Sequence, residues 1–185
     1  MKTEAFMVYI FLANGFEEIE ALCVLDLLRR AGVEVKTIGI DNKIVTGSHK
    51  IPVVSDIEDV MLTGFEDFDM IILPGGLPGA NNLDESPVVD KFINRAVDED
   101  KYIGAICAAP FILGKRGILN GKKATCYPGF ENELIGAEVV NDGCVRDGKV
   151  ITAQAMGKSH DFALEIVETL CGKEVRDKLK AAIIY

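Results

Sequence analysis

The stretch Tyr102-Ile103-Gly104-Ala105-Ile106-Cys107-Ala108-Ala109-Pro110 decides how this chain is read. An apolar run stops at a cysteine, and only small residues follow before a proline. That composition suits a buried strand that turns sharply into a helix, because bulky side chains would collide in the turn. A side chain held there projects from the sheet edge. Backbone N–H groups at the start of the new helix lie beside it and favour negative charge, which draws a thiol toward its reactive thiolate. Against this stands the ordinary fate of a cysteine among apolar residues, an inert and buried small hydrophobe.

Upstream, Ala5 to Leu12 reads as a strand buried on both faces, as a parallel sheet covered by helices requires. Asn14-Gly15 marks a turn. Glu17 to Arg30 reads as a helix, with acids at its start and Arg29-Arg30 at its end to complement the macrodipole. Gly32 suits the position just past that helix, and Val33 to Ile40 is the next strand. Asp41 to Asp56 reads as a hairpin-like excursion broken at Thr46-Gly47-Ser48. Asp69 to Leu73 is a strand that ends in Pro74-Gly75-Gly76. Ser86-Pro87 opens a helix that runs to about Asp98, with Ser as N-cap and Pro at the first helical position.

Downstream of Cys107, a short helix is expected over Ala109 to Lys115 and a strand over Lys123 to Cys126. Strand pieces between Val139 and Ala153 turn at Arg146-Asp147-Gly148. Ser159 to Leu170 and Glu174 to Ala182 read as helices. Strands alternating with helices predict an α/β three-layer sandwich around a mostly parallel central sheet. Ligand sites in such sheets lie beyond the carboxyl ends of the strands. Leu12, Leu73 and Ile106 are expected strand ends, which brings Gly15 to Glu20, Gly75-Gly76 and Cys107 to one rim.

The 185 residues fit one domain, 1–185. Apolar residues at 49% and charged residues at 26% describe an ordinary globular chain rather than a disordered one. A net charge of −9 argues against nucleic acid, whose binding rests on Lys and Arg neutralising phosphates, and against anionic membrane surfaces. The apolar run near the N-terminus is too short to span a membrane and lacks a secretory pattern, so a cytoplasmic protein is expected. Five cysteines, Cys23, Cys107, Cys126, Cys144 and Cys171, give an odd count with no Cys-x-x-Cys. Free thiols are expected rather than disulfides or a zinc site. His49 and His160 have no metal-ligand spacing, and no metal or cofactor is expected.

Two further segments bear on chemistry. Pro74-Gly75-Gly76 is either a plain turn or a nest of backbone N–H groups that holds an oxyanion, since glycine lets the backbone approach a substrate closely. Glu17-Glu18-Ile19-Glu20 complements a helix start, yet Glu17 and Glu20 share a face, so one of them is placed to point at the rim of Cys107.

Taken together, Asn14-Gly15-Phe16-Glu17-Glu18-Ile19-Glu20, Leu73-Pro74-Gly75-Gly76, Ala105-Ile106-Cys107-Ala108-Ala109-Pro110 and the tail Ser159 to Val167 occur in the order and spacing of a known family. The chain resembles the ThiJ/PfpI superfamily, class I glutamine amidotransferase-like, on the branch of the parkinsonism-associated protein deglycase (DJ-one) and bacterial YajL. The resemblance spans nearly the whole chain. It implies a flavodoxin-like fold, a homodimer, a reactive cysteine at Cys107, a partner glutamate at Glu20, and oxyanion donors at the backbone N–H groups of Gly76 and Ala108. It also implies hydrolysis of methylglyoxal and related glycation adducts, and redox sensing through cysteine oxidation.

The departures matter as well. The peptidase branch carries histidine directly after the cysteine, where this chain has Ala108, which argues against a protease. The parkinsonism-associated branch carries a histidine just before a proline, and Tyr127 stands there, before Pro128. A family arginine in the hairpin falls at His49 or Lys50. Gly75, Glu17 and Tyr127 are accessory candidates, and His160, early in a helix, is assigned to surface or packing.

A charged carboxylate beside Cys107 would raise the thiol's pKa, so the expected arrangement is a protonated Glu20 donating to a Cys107 thiolate. The leading reading is a cysteine-dependent hydrolase or lyase acting on a small aldehyde or its adduct. The alternative is a non-catalytic oxidative-stress sensor or chaperone, and a third is a ligand-binding, chemically inactive amidotransferase-like fold.

Overall fold

The computed structural model describes residues 6–185, so the expected strand start at Ala5 lies outside the described residues. In chain order the elements are β1 (Met7–Leu12), α1 (Glu18–Arg30), β2 (Glu34–Gly39), β3 (Ile44–Thr46), β4 (Pro52–Val54), β5 (Ile57–Glu58), β6 (Met70–Leu73), α2 (Gly79–Glu85) and α3 (Pro87–Asp98). There follow β7 (Tyr102–Ile106), α4 (Pro110–Lys115), β8 (Lys123–Ala124), β9 (Glu138–Val139), β10 (Cys144–Asp147), β11 (Val150–Ala153), α5 (Ser159–Cys171) and α6 (Lys173–Ala182).

The central sheet has seven strands in the order β10-β11-β7-β6-β1-β2-β5. Neighbours are parallel throughout, except that β10 and β11 form an antiparallel hairpin around the turn at Gly148. β1 lies inside the sheet, and Val8 to Leu12 are all buried. Their side chains alternate between the two faces. Val8, Ile10 and Leu12 join α1, α5 and α6 in one core, with Val24, Leu28, Phe162 and Val167. Tyr9 and Phe11 join α2, α3 and α4 in the other, where Phe92 meets both rings nearly edge-on at 5.8 and 5.4 Å. This is the expected three-layer α/β sandwich.

The chain leaves β1 for β2 on one side and later fills the other side with β6. The order therefore switches between β1 and β6, and a crevice opens beyond their carboxyl ends. β6 ends at Leu73 and β7 at Ile106, as the sequence predicts. The cap on α3 also forms, with Ser86 Oγ accepting the Val89 N–H at 3.4 Å.

Several elements differ from the sequence reading, among them β5, a two-residue edge strand beside β2 that it did not include. The strand expected over Lys123 to Cys126 stops at Ala124 and pairs with β9 in a separate two-stranded sheet. The Thr125 N–H turns instead to Thr152 Oγ1 (3.0 Å) and the Tyr127 N–H to the Cys107 carbonyl (2.8 Å), which carries the chain over the rim. α2 is an additional helix, short and polar, with no apolar period to announce it. No helix among the described residues is long and apolar enough to cross a membrane.

Candidate active site

Cys107 sits directly after β7 with φ +65°, a left-handed conformation that costs a non-glycine residue about 1–2 kcal/mol. Its backbone is tied on both sides. The N–H donates to the Ala153 carbonyl (2.9 Å), and the carbonyl accepts the Tyr127 N–H (2.8 Å). Ala108 and Ala109 are buried against it, so the small residues in the turn are there because α4 starts without room for more. The thiol itself is half-buried.

The turn after β6 closes the site from the adjacent strand. Gly75 donates its N–H to Glu20 Oε2 (2.8 Å) and accepts the Glu17 N–H (2.9 Å), which fastens the first turn of α1 to the sheet. A Cβ on Gly75 would stand 2.6 Å from both the Cys107 Cβ and Glu20 Oε2. Glycine is therefore what lets the thiol and the carboxyl face each other. Gly76 has φ +84°, and its backbone packs on Gly15 and Glu17.

Glu20 is 1% exposed. Burial pushes its carboxyl up to about 7, partly offset by the Cys107 thiol and the Gly75 N–H, while the nearby Glu17 charge adds to the rise. Its Oε1 has no hydrogen-bond donor among the described residues. With Glu20 ionised, Cys107 is pushed up to about 12, first by burial and then by the Glu20 carboxylate. The N–H groups of Ala108 and Gly76 act in the opposite direction, favouring charge on sulfur. The thiol lowered by its turn, expected from sequence, is corrected here: burial and the carboxylate outweigh the two amides. The pair titrates as a unit, losing a first proton near 7 and holding the second far more tightly.

Glu17 and Glu18 turn away to the β3–β4 hairpin. Glu17 Oε2 accepts from Ser48 Oγ at 3.2 Å. Glu18, which sequence reasoning left to the helix dipole, is the anchor of the hairpin. Its carboxylate accepts the His49 N–H (2.8 Å), the Ile51 N–H (3.4 Å) and Ser48 Oγ (3.3 Å), and meets His49 Nδ1 at 3.0 Å. Burial alone would raise its pKa, but its own backbone N–H and the donors of His49 and Ile51 hold it below the usual carboxylate range. The available signal was Gly47, whose absent side chain leaves the space that the Glu18 carboxylate fills. Glu17, Glu18 and His49 bring possible metal-ligating atoms within 4.8 Å of one another, but Glu18 already accepts from the hairpin's own donors.

Tyr127 touches the elbow through its backbone, and its residue is 47% exposed. His160 stacks on Tyr185, ring centroids 5.2 Å apart, in a packing contact. The remaining thiols are raised by burial, Cys23 and Cys126 to about 11 and Cys144 to about 12, with Cys171 shifted the same way.

The model of one family, described as the DJ-1/PfpI family, matches residues 7–169. The chain belongs to the DJ-1/PfpI family. Within it, the chain is 38% identical over 181 residues to the Parkinson disease protein 7 homolog of Danio rerio, covering 95% of each chain. It is 35% identical over 167 residues to the glutathione-independent glyoxalase DJR-1.2 of Caenorhabditis elegans, covering 88% of this chain and 87% of that one. The solved structure of oxidized Toxoplasma gondii DJ-1 superposes with a TM-score of 0.94 at 33% identity, over 98% of this chain and 99% of that one. The seven-stranded sheet and its flanking helices are the architecture of DJ-1/PfpI structures.

Proposed function

We propose that this DJ-1/PfpI protein is a cysteine-dependent hydrolase or lyase acting on small reactive carbonyls or their adducts, glyoxalase- or deglycase-like, with Cys107 as nucleophile and Glu20 as proton carrier. The observation that carries the reading is the Cys107–Glu20 pair beside two backbone donors. Its first proton leaves near neutrality, which suits a group that moves protons at working pH. Charge on sulfur has the Ala108 and Gly76 N–H groups and partial access to water. Charge on Glu20 has one N–H and a second oxygen with no donor. Burial still leaves the charge of the singly ionised pair chiefly on Glu20, and the donors at sulfur make accessible the arrangement that reacts, a thiolate facing a protonated carboxyl.

From that state Sγ adds to the aldehyde carbon of a 2-oxoaldehyde. The new oxyanion takes the N–H groups of Gly76 and Ala108 and then the Glu20 proton, leaving a hemithioacetal and a carboxylate. The carboxylate removes the proton on the former aldehyde carbon to give an enediolate, then returns it to the neighbouring carbon while the hydroxyl proton passes to the neighbouring oxygen, giving a thioester. Water cleaves the thioester to a 2-hydroxy acid and restores the thiol. The glyoxalase name of the C. elegans relative supports this reading. Ala108 leaves no imidazole next to the cysteine, which speaks against peptide cleavage. Exposed Ile19, Ile51 and Leu77 on segments meeting at this rim support a homodimer; sedimentation at micromolar concentration tests it.

The deciding experiment compares methylglyoxal consumption and lactate formation in wild type and Cys107→Ser. The variant is expected to fall to background, and equal rates would remove the enzyme reading for this substrate. A second reading, an oxidative-stress sensor, is favoured by the same donors, which also suit the oxygens of a sulfenic or sulfinic acid. Selective oxygen addition to Cys107 under mild peroxide, without turnover, would leave that reading standing alone.

A further inference from the structure

Asp59 follows β5 and is 7% exposed, yet its Oδ1 has no hydrogen-bond partner among the described residues. A buried carboxylate oxygen without a donor is costly, so such an atom points to a missing partner. Asp59 lines a cavity of about 310 Å³ together with Asp41, Asn82, Glu85 and Ser86, over apolar walls that include Ile40 and Val88. That volume is at the small end of ligand pockets, about 300–1,000 Å³. Asp41, Asp59 and Glu85 form no ion pair among the described residues, and no Lys, Arg or His lines the cavity. Glu85 is also the last residue of α2, the end at which a helix favours cations.

We propose that this cavity binds a small organic cation carrying two or more separated ammonium charges, a polyamine-class ligand, with Asp59 as the buried anchor and Asp41 and Glu85 at the mouth. The spacing selects this class over a bare metal ion. The three carboxylates do not bring their ligand atoms within 4.8 Å of one another; among the described residues only Glu17, Glu18 and His49 do. A point ion cannot reach all three directly, whereas charges strung along an alkyl chain can, with the methylenes against the apolar wall. Asn82 also donates from Nδ2 to the Asn14 carbonyl at 2.8 Å, so an occupant would contact the segment that leads into α1.

Spermidine is the probe, titrated into the ¹⁵N-labelled full chain at low salt. Saturable shifts are expected at the amides of Asp59, Asn82 and Ser86, with butylamine binding at least about tenfold more weakly for want of a second charge. Asp59→Asn should weaken spermidine at least about tenfold. If that variant does not fold, the double variant Asp41→Asn, Glu85→Gln at the exposed mouth should lose a comparable factor. Three results would overturn the proposal: shifts scattered over the surface without saturation, which is general attraction to a chain of net charge −9; unchanged affinity in the folded variants; or displacement of spermidine by equimolar Mg²⁺, which assigns the cavity to a point ion.

Discussion

The two flanks of α1's first turn ask opposite things of a carboxylate. On the hairpin flank, Glu18 is 4% exposed and surrounded by donors from Ser48, His49 and Ile51, and its pKa is lowered. On the sheet flank, Glu20 is 1% exposed, receives one N–H, and is pushed up to about 7. Both residues are closed off at the surface, but the Glu20 carboxyl lies far deeper, so its desolvation is larger and fewer donors offset it; depth and donors together set the direction. One flank spends its acid on holding a loop; the other leaves its acid under-satisfied and able to exchange a proton beside a thiol.

The largest effect is expected where a substitution breaks the sheet flank by volume. Gly75→Ala would drive a methyl against the Cys107 Cβ and Glu20 Oε2, each 2.6 Å away. Turnover and thiol alkylation should fall by more than about 100-fold, and stability by about 2–3 kcal/mol in urea unfolding. Gly157→Ala is the control, with open space around it and, like Gly75, no positive φ. If both variants lose the same amount, the fit around Gly75 is not what shapes the site.

Glu18→Ala should cost about 3 kcal/mol, because it strips a charged acceptor from the backbone N–H groups of the hairpin. Alkylation of Cys107 should change less than about threefold. A loss of thiol reactivity as large as the loss of stability would show that the flanks are not separable.

Glu20 sharpens the contrast through pH. Its folded-state pKa is raised, so its contribution is complete below the ordinary value near 4.5 and is lost as pH rises through about 7. Wild type should lose about 2–3 kcal/mol between pH 4.5 and pH 8 from this group, and Glu20→Gln should flatten that slope. Parallel slopes in urea unfolding would contradict the assignment. At the thiol, Glu20→Gln should keep most of the low-pH alkylation rate, while Glu20→Leu loses about tenfold or more. Equal rates would remove the hydrogen bond from carboxyl to sulfur.

The smallest effect lies on the exposed side of the hairpin flank. His49 is raised above 6.5, first by its hydrogen bond to Glu18 and then by the charges of Glu17 and Glu18. Its NMR titration midpoint should drop toward 6.5 in Glu18→Gln. No movement would mean that the imidazole does not engage the acid in solution.

Much of this was legible in sequence because it rests on local chemistry. Apolar runs of four to six residues ended where glycine, asparagine or the small residues after Cys107 ended them, and the strand ends placed the rim. What escaped depends on partners distant in sequence. Glu18 looks like any acid at a helix start until the hairpin 30 residues away folds over it. Asp59 reads as a polar residue in a loop until α2, a helix without an apolar period, closes the cavity beside it. The direction of the Cys107 shift was misread because a turn motif announces its amides but not how deeply the sulfur is buried.

The fastening of Cys107 has a consequence for how the protein comes into being. The amide of the cysteine is held by Ala153 and its carbonyl by Tyr127, both made after it during synthesis. A chain that has not yet reached Ala153 carries the sulfur without that posture, as an ordinary thiol. The left-handed posture of the cysteine thus arrives late, when β11 docks beside β7.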